Sequence, residues 1–336
     1  MKVLYLGELS GNTGPSNANL GFYSHWPVDD DLEILSTKSK ISKVLDALAM
    51  PIRSDCVISF GDWSLFRCSE NLARLQNKPC VAFCHGYIPF ENEINKLGMP
   101  DRQIKSYINW LEKADVVVAN SAYQAQFILN QQPSLQGKVS HVDLGVERFT
   151  QTRRIRSHLP YIIAVSGGTR RIKGNDIVAR SIYKLRKAGI DVQLHVYGRR
   201  YAAVDRDLDR LISDGYGEYK GQVSHEQFIE GLTASDVFVM NSRHEPFGLS
   251  AIDALQAGSS LLLSRNCGVN GLLKLNSNDI VENCEDESEV ADKIALLINK
   301  PNSKRLYESI DFEEASWDSA ARKLREVCAK AVGIAS

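Results

Sequence analysis

The sequence has no run approaching the ~18 consecutive apolar residues that a membrane-spanning helix needs, so no transmembrane anchor is expected. It has no surplus of either charge. Lys and Arg number 40 against 41 Asp and Glu, for a formal net charge of -1, which argues against a dedicated nucleic-acid binder. Cysteine follows no pattern: the seven (Cys56, Cys68, Cys80, Cys84, Cys267, Cys284 and Cys328) are odd in number and share no spacing. No disulfide framework is expected from them, and reduced thiols point to the cytoplasm. Cys80 and Cys84 lie four apart, but no second pair matches them, and Cys80-Val-Ala-Phe-Cys84 reads as a buried strand and not a zinc site. There is no repeat of fixed shorter period, no low-complexity segment and no Gly-Lys-Ser/Thr phosphate loop. The opening Met1-Lys-Val-Leu-Tyr-Leu-Gly is short, with Glu8 directly behind it, and reads as a first strand and not a signal peptide.

What remains is a chain of 336 residues with 43% hydrophobic and 24% charged residues, the composition of a globular protein long enough for two domains. Short apolar runs alternate with helical patterns. Strands are expected at Val3–Leu6, Glu33–Leu35, Val57–Phe60, Cys80–Phe83, Val116–Ala119 and Val139–Val142, with amphipathic helices at Ile41–Ala49, Leu65–Gln76, Arg102–Lys113 and Tyr123–Asn130. The alternation stops between Gly145 and Pro160, in an Arg-rich stretch that reads as a linker. It restarts with strands at Tyr161–Val165, Val192–Tyr197, Val237–Met240, Leu261–Leu263 and Ile280-Val281. Helices are expected at Ile177–Lys187, Leu208–Ile212, His225–Leu232, Leu249–Gln256, Glu289–Ile298 and Ser319–Ala331. The fold class is therefore α/β, two doubly wound Rossmann-like domains in tandem facing a central cleft, with ligands expected outside the carboxyl ends of the strands.

Four segments could carry chemistry. Ser166-Gly-Gly-Thr-Arg-Arg-Ile-Lys173-Gly174 lies between a strand and a helix. Glycines let backbone approach a ligand closely, and a strand–loop–helix junction presents N–H groups to an anion. Arg170, Arg171 and Lys173 add charge, so a diphosphate fits; the plainer reading is an ordinary loop with solvated cations. Twelve Lys and Arg against two acids between Gln151 and Arg200 point the same way. Glu8-Leu-Ser-Gly-Asn-Thr-Gly14-Pro-Ser-Asn-Ala-Asn19 suits a ligand loop or a plain turn. His85-Gly86 follows a strand, where a His is either a ligand-facing group or a satisfied structural residue. Arg243-His-Glu245-Pro-Phe-Gly-Leu-Ser-Ala-Ile-Asp253 turns from a strand into a helix. Its two acids, eight apart, could grip hydroxyls at two ends of an extended polar ligand, and the N–H groups of Phe247, Gly248 and Leu249 could meet an anion between them.

The last segment resembles the Glu-x7-Glu signature of the retaining glycosyltransferases of the GT-B fold, family 4 (group 1), here written Glu245-Pro-Phe-Gly-Leu-Ser-Ala-Ile-Asp253-Ala-Leu-Gln-Ala-Gly258. Ala114-Asp-Val-Val-Val-Ala-Asn-Ser121, His141-Val-Asp-Leu-Gly-Val-Glu-Arg-Phe149, Lys173-Gly174, Gly221-Gln-Val-Ser, Ser235-Asp-Val-Phe-Val-Met-Asn-Ser242 and Ser316-Trp317 fall in the family's order, so the resemblance spans nearly the whole chain. It implies an acceptor-side domain over 1–148, a donor-binding domain over 149–315 and a C-terminal helix, 316–336, returning to the first domain. It implies that Glu245 holds hydroxyls of the transferred sugar, that Phe247, Gly248 and Leu249 contact that sugar or the phosphates, and that Asp253 holds the ribose. It gives Lys173 the diphosphate and His85 a place near the sugar. It adds Gly14, Gly167, Gly168, Arg170, Arg171, Tyr197, Gly198 and Val223 to the donor-binding set. Three positions depart from the pattern: Asp253 replaces the usual Glu, Gly167-Gly168 replaces Gly-Arg, and Leu144 replaces Asn.

The reaction so implied moves a sugar from a nucleoside diphosphate, UDP or GDP, to a hydroxyl of a glycan or glycolipid, as in bacterial surface polysaccharide synthesis. It proceeds with retention, without a metal or cofactor, in the cytoplasm. The first 150 residues hold fourteen Lys and Arg against sixteen acids, which leaves room for weak peripheral association with an inner membrane but not strong electrostatic docking. The rivals are a metal-dependent enzyme using Asp205-Arg-Asp207-Leu-Asp209 or Asp29-Asp-Asp31, a sugar-nucleotide epimerase of the same fold, and a non-catalytic nucleotide-sugar-binding partner of a synthase. Both Asp clusters read better as a solvated helix face and a polar turn. Phe22, Tyr23, Trp26, Trp63, Phe66, Tyr87 and Phe90 could stack on acceptor sugars or fill the core.

Overall fold

The computed structural model describes residues 1–9, 13–34, 45, 48–61, 63–149, 159–201 and 206–333. Ser10–Asn12, Leu35, most of the expected helix at Ile41–Ala49, linker residues 150–158 and Asp205 lie outside the described residues, as do the side chains of Trp63, Phe66 and Cys68. The chain divides into two compact units that interleave in sequence. One comprises Met1–Phe90, Gly98–Glu147 and Phe312–Ser336; the other comprises Glu91–Leu97 and Arg148–Asp311.

The first unit holds six parallel strands in the order β2-β1-β3-β4-β5-β6. They are β1 (Lys2–Leu6), β2 (Asp31–Ile34), β3 (Cys56–Ser59), β4 (Cys80–Cys84), β5 (Val116–Ala119) and β6 (Val139–His141). Every residue of β3 and β4 is buried, as expected for central strands of a parallel sheet covered on both faces. That is why they read as unbroken apolar runs. Helices Gly14–Ser24, Trp63–Leu75, Asp101–Lys113 and Ala122–Gln131 follow strands. Thr13 and Ser16 form a reciprocal capping box at the first of these, and Ser121 accepts from the Gln124 N–H at the last. The described cysteines are free and buried. Cys84 and Tyr107 both turn their side-chain groups to the Gly86 carbonyl, at 2.9 and 2.7 Å.

The second unit repeats the plan in the order β12-β11-β10-β7-β8-β9, all parallel. Its strands are β7 (Tyr161–Val165), β8 (Val192–Tyr197), β9 (Gly217–Gly221), β10 (Val237–Met240), β11 (Ser260–Ser264) and β12 (Ile280–Val281). β9 has no counterpart among the expected strands. Its sequence, Gly-Glu-Tyr-Lys-Gly, offers no apolar run because it is an edge strand paired only to β8. Helix Ile88–Asn95 was also unexpected; Pro89 obscures it, although proline is tolerated in a first turn. No helix among the described residues is long and apolar enough to cross a membrane.

Gly145 and Val146 are not loose linker. Val146 is buried, and its N–H donates to the Ala315 carbonyl at 2.7 Å. Trp317, opening the helix Trp317–Val332 under a Ser316 cap, meets Phe22 edge-on, and Phe22 leads on to Phe60 and Phe83. Phe22, Trp26 and Tyr87 are therefore core. Glycine is required beneath the indole: a Cβ at Gly145 would lie 2.4 Å from the Trp317 Cα, and one at Gly21 would lie 2.6 Å from the ring. Gly145→Ala should lower stability by about 1–3 kcal/mol through overpacking. Gly271→Ala, whose Cβ meets nothing within 4 Å, should change it little. Urea unfolding of the two variants checks the difference.

Candidate active site

The loop expected to meet an anion follows the carboxyl end of β7, in the second unit. Gly167 and Gly168 have φ of +86° and +62°, in the left-handed region. A Cβ on Gly168 would sit 2.0 Å from the Arg199 carbonyl oxygen, and one on Gly198 would sit 2.6 Å from the Gly168 nitrogen. The loops after β7 and β8 thus pack backbone against backbone, with the Gly168 N–H donating to the Tyr197 carbonyl at 2.8 Å. The Asn175 amide closes the turn by donating to the carbonyls of Ser166 and Gly168. The same loop makes room for Lys173, whose Cγ would meet a Gly167 Cβ at 2.5 Å.

Lys173 is directed at Glu245. Its ammonium donates to Glu245 Oε2, and both side chains are largely buried, 15% and 12% exposed. Burial works against the charge of Glu245, but Lys173 and then Arg170 outweigh it and hold the carboxyl below its usual range. The backbone of Glu245 is fixed on both sides: its N–H donates to the Asn266 carbonyl, and its carbonyl accepts from Gly268, each at 2.9 Å. Gly248, at φ +110°, caps helix Leu249–Gln256. It lets the turn fold over the carboxylate, since a Cβ there would lie 3.2 Å from Glu245 Cγ. The first-turn N–H groups of that helix have no intrahelical acceptor. Ser250 joins the helix to the anion loop through a 3.1 Å contact with Ser166.

The remaining expected residues fall into distinct surroundings. Arg170 is half-buried and its charge reaches Glu245, whereas Arg171 is exposed. Arg180 pairs with Asp207 and Glu287, Lys184 with Glu287 and Arg186 with Asp191, so these three cations are balanced by nearby acids. Asp207 pairs with Arg180 and Asp209 with Arg200; Asp30 pairs with the N-terminal amine and Arg325. The Tyr197 ring is buried against Phe228, and its hydroxyl is turned toward Gly231. What Tyr197 offers the loop is its carbonyl. Phe247 is buried, Leu249 and Val223 are half-buried, and Asp253 stands 3.3 Å from His225 Nε2.

In the first unit, His85 Nε2 lies 2.7 Å from Asn19 Oδ1. The Asn19 amide nitrogen faces the Glu8 carbonyl at 3.0 Å. A carbonyl can only accept, so the amide orientation is set, its oxygen faces the ring, and Nε2 carries the proton. Gly14 opens helix Gly14–Ser24 with open space around its Cα.

The residue that the sequence reading passed over is Arg243. Its Nη1 and Nη2 fork Asp176 at 2.8 Å each, its Nε and Nη2 fork Glu285, and Nη1 also donates to the Arg171 carbonyl. All five guanidinium protons are used. The Arg243 backbone N–H donates to the Ile172 carbonyl at 2.8 Å. Burial alone would lower its pKa; the hydrogen bonds it donates to Asp176 and Glu285 raise it instead. Arg243 thus binds the segment carrying Glu245 to the one carrying Lys173. Its signal in the sequence was position alone, two residues before the acid.

Two outcomes follow. Arg243→Lys supplies three donors for five acceptor positions and loses the planar fork, so it should cost about 2–4 kcal/mol in urea unfolding. Burial lowers the pKa of His85 and of His244 to about 4. An unfolded His takes its proton near pH ~6.5, so between those limits the unfolded chain binds more protons and stability falls as pH falls. Thermal melts through that window should show a shallower pH slope in His85→Asn than in the parent chain.

Residues 101–324 match the model of a family described as family 4 glycosyltransferase in conflict systems. The chain is 24% identical over 303 residues to D-inositol 3-phosphate glycosyltransferase 1 of Catenulispora acidiphila, covering 82% of this chain and 72% of that protein. Among solved structures it is similar to Anabaena HepE in complex with UDP and glucose, with a TM-score of 0.72, 13% identity, and 98% and 100% of the two chains covered. It is also similar to sucrose-phosphate synthase of Thermosynechococcus elongatus, with a TM-score of 0.76, 15% identity and both chains covered in full. At such identity the structures speak for a shared fold, GT-B, and the match over residues 101–324 settles the rest: the chain belongs to the family 4 glycosyltransferases, in the group described from conflict systems.

Proposed function

We propose that this chain transfers a sugar, with retention and without a metal, from a nucleoside diphosphate sugar to a hydroxyl of a glycan or glycolipid. The observation that carries the reading is the buried Lys173–Glu245 pair, with Arg170 beside it, under two glycine turns that bring backbone close to the same place. A buried ammonium needs an anion, and a buried carboxylate needs donors. A sugar diphosphate supplies both, phosphate oxygens for Lys173 and Arg170 and hydroxyls for Glu245. The bound UDP and glucose of the HepE structure favour UDP among the nucleotides. Asp253, with His225 next to it, is assigned to the ribose.

In the reaction the bond from the sugar's anomeric carbon to the diphosphate oxygen breaks. The bond to the acceptor oxygen forms on the same face, and the acceptor's proton passes to the departing phosphate. Negative charge grows on that phosphate, and Lys173, Arg170 and the N–H groups at the start of Leu249–Gln256 stabilise it without having to reorganise. The family resemblance assigns His85 to the sugar; with its pKa lowered to about 4 by burial it is neutral at neutral pH and offers hydrogen bonds and not a charge. Asp207 and Asp209 of one Asp cluster and Asp30 of the other are engaged by Arg and amine groups, which supports the metal-independent reading. The biological setting has two readings, surface polysaccharide synthesis and, from the family's own description, a conflict system.

Purified chain, a nucleotide sugar and an acceptor panel test this. Glu245→Gln should lower kcat/KM by roughly 100-fold or more, as loss of a charged transition-state contact does. Activity should persist in EDTA, and the product should keep the donor's anomeric configuration. Unchanged turnover in both Glu245→Gln and Lys173→Met would defeat the proposal. An isomerised sugar nucleotide without acceptor would replace it with epimerisation, and the absence of any turnover of a bound donor would replace it with a binding role.

A further inference from the structure

Helix Ile88–Asn95 ends against the anion loop. The Ile172 N–H donates to Asn95 Oδ1 at 3.0 Å, in a buried bond one residue before Lys173. The Asn95 amide turns back to the Glu91 carbonyl at 2.9 Å. Residues four apart share a helix face, so Glu91 stands one turn from Asn95 on the side that meets the loop, and Glu91–Leu97 group with the second unit. Burial raises the Glu91 carboxyl above its usual range, Arg170 and Lys173 pull the other way, and Glu245 adds to the rise. With Asn95 bonded to the loop one turn away, Glu91 stands within electrostatic reach of all three. Arg170 Nε is buried there with no hydrogen-bond partner among the described residues.

The cluster holds two cations, Arg170 and Lys173, and two carboxylates, Glu91 and Glu245. A diphosphate entering it takes the cations. Glu245 then loses its lysine and Glu91 the positive charge nearby, and a carboxylate shut away from water without donors is costly. Phosphate cannot satisfy them, because like charges repel. The hydroxyls of the sugar joined to that phosphate can. We propose that Glu91 is a second sugar-recognising carboxylate of the donor site, accepting from a hydroxyl of the transferred sugar beside Glu245. This rests on the donor reading above and extends it to a residue outside the family motif.

The test separates the sugar from its nucleotide. Wild type, Glu91→Gln and Glu91→Ala are titrated calorimetrically with UDP, UDP-glucose, GDP and GDP-mannose. In Glu91→Ala, affinity for the sugar nucleotide should fall about tenfold, the worth of one hydrogen bond to a charged group, while affinity for the bare diphosphate holds or improves. Glu91→Gln keeps the shape and one acceptor oxygen, so it should fall between and carries the comparison if Ala disturbs the fold. Equal changes for diphosphate and sugar nucleotide, or no change in either, overturn the assignment of Glu91 while leaving the donor reading in place. Wild type that binds none of the four overturns the donor reading and this inference with it.

Discussion

The second unit is organised around one buried ion pair. An ammonium and a carboxylate removed from water are tolerated only when they face each other and their remaining valences are met. Lys173 and Glu245 come from segments 72 residues apart, so every feature that holds those segments together serves the pair. Gly167 admits the Lys173 stem, Gly248 folds the turn over Glu245, and Arg243 joins the two stretches by spending all five of its donors.

The parallel sheets explain why these segments meet. In a doubly wound sheet each strand delivers its following loop to the same edge. β7, β8 and β10 lie near one another in the order β10-β7-β8, so the loops at Gly167, Gly198 and Glu245 are neighbours by construction. Their glycines let these loops pack closer than a Cβ would allow. The result is a region where backbone, cations and a carboxylate converge, which suits a ligand with a charged half and a hydroxyl-bearing half.

The departures from the family pattern also gain physical content. With Gly168 in place of the usual arginine, the backbone rests directly on the Arg199 carbonyl. Two residues later Arg170 is half-buried with its charge reaching Glu245, whereas Arg171 is exposed. The shorter acid Asp253 has His225 beside it, a second polar group at the same position. The structure offers no account of Leu144 beyond its burial.

Much was legible in the sequence because burial leaves local marks. Central strands such as Cys80–Cys84 and Ser260–Ser264 are covered on both faces and read as apolar runs, and amphipathic helices show their buried stripe. The loop at Ser166–Gly174 and the turn at Glu245–Asp253 announced themselves by glycine, charge and place at a strand end. The edge strand Gly217–Gly221 left no such mark, because it pairs with one neighbour only and none of its residues is fully buried. The pairing of charges was equally silent. Arg171 and Arg170 are adjacent and alike in sequence, and nothing local says which one turns inward. Arg243, Asp176 and Glu285 find each other, and Asn95 finds Ile172, only once the chain is folded. The sequence by itself determined the class of fold and the class of reaction, since both rest on local pattern. Which cations and carboxylates share one buried space was decided by tertiary structure, because an ion pair is a relation between positions that the chain brings together from far apart.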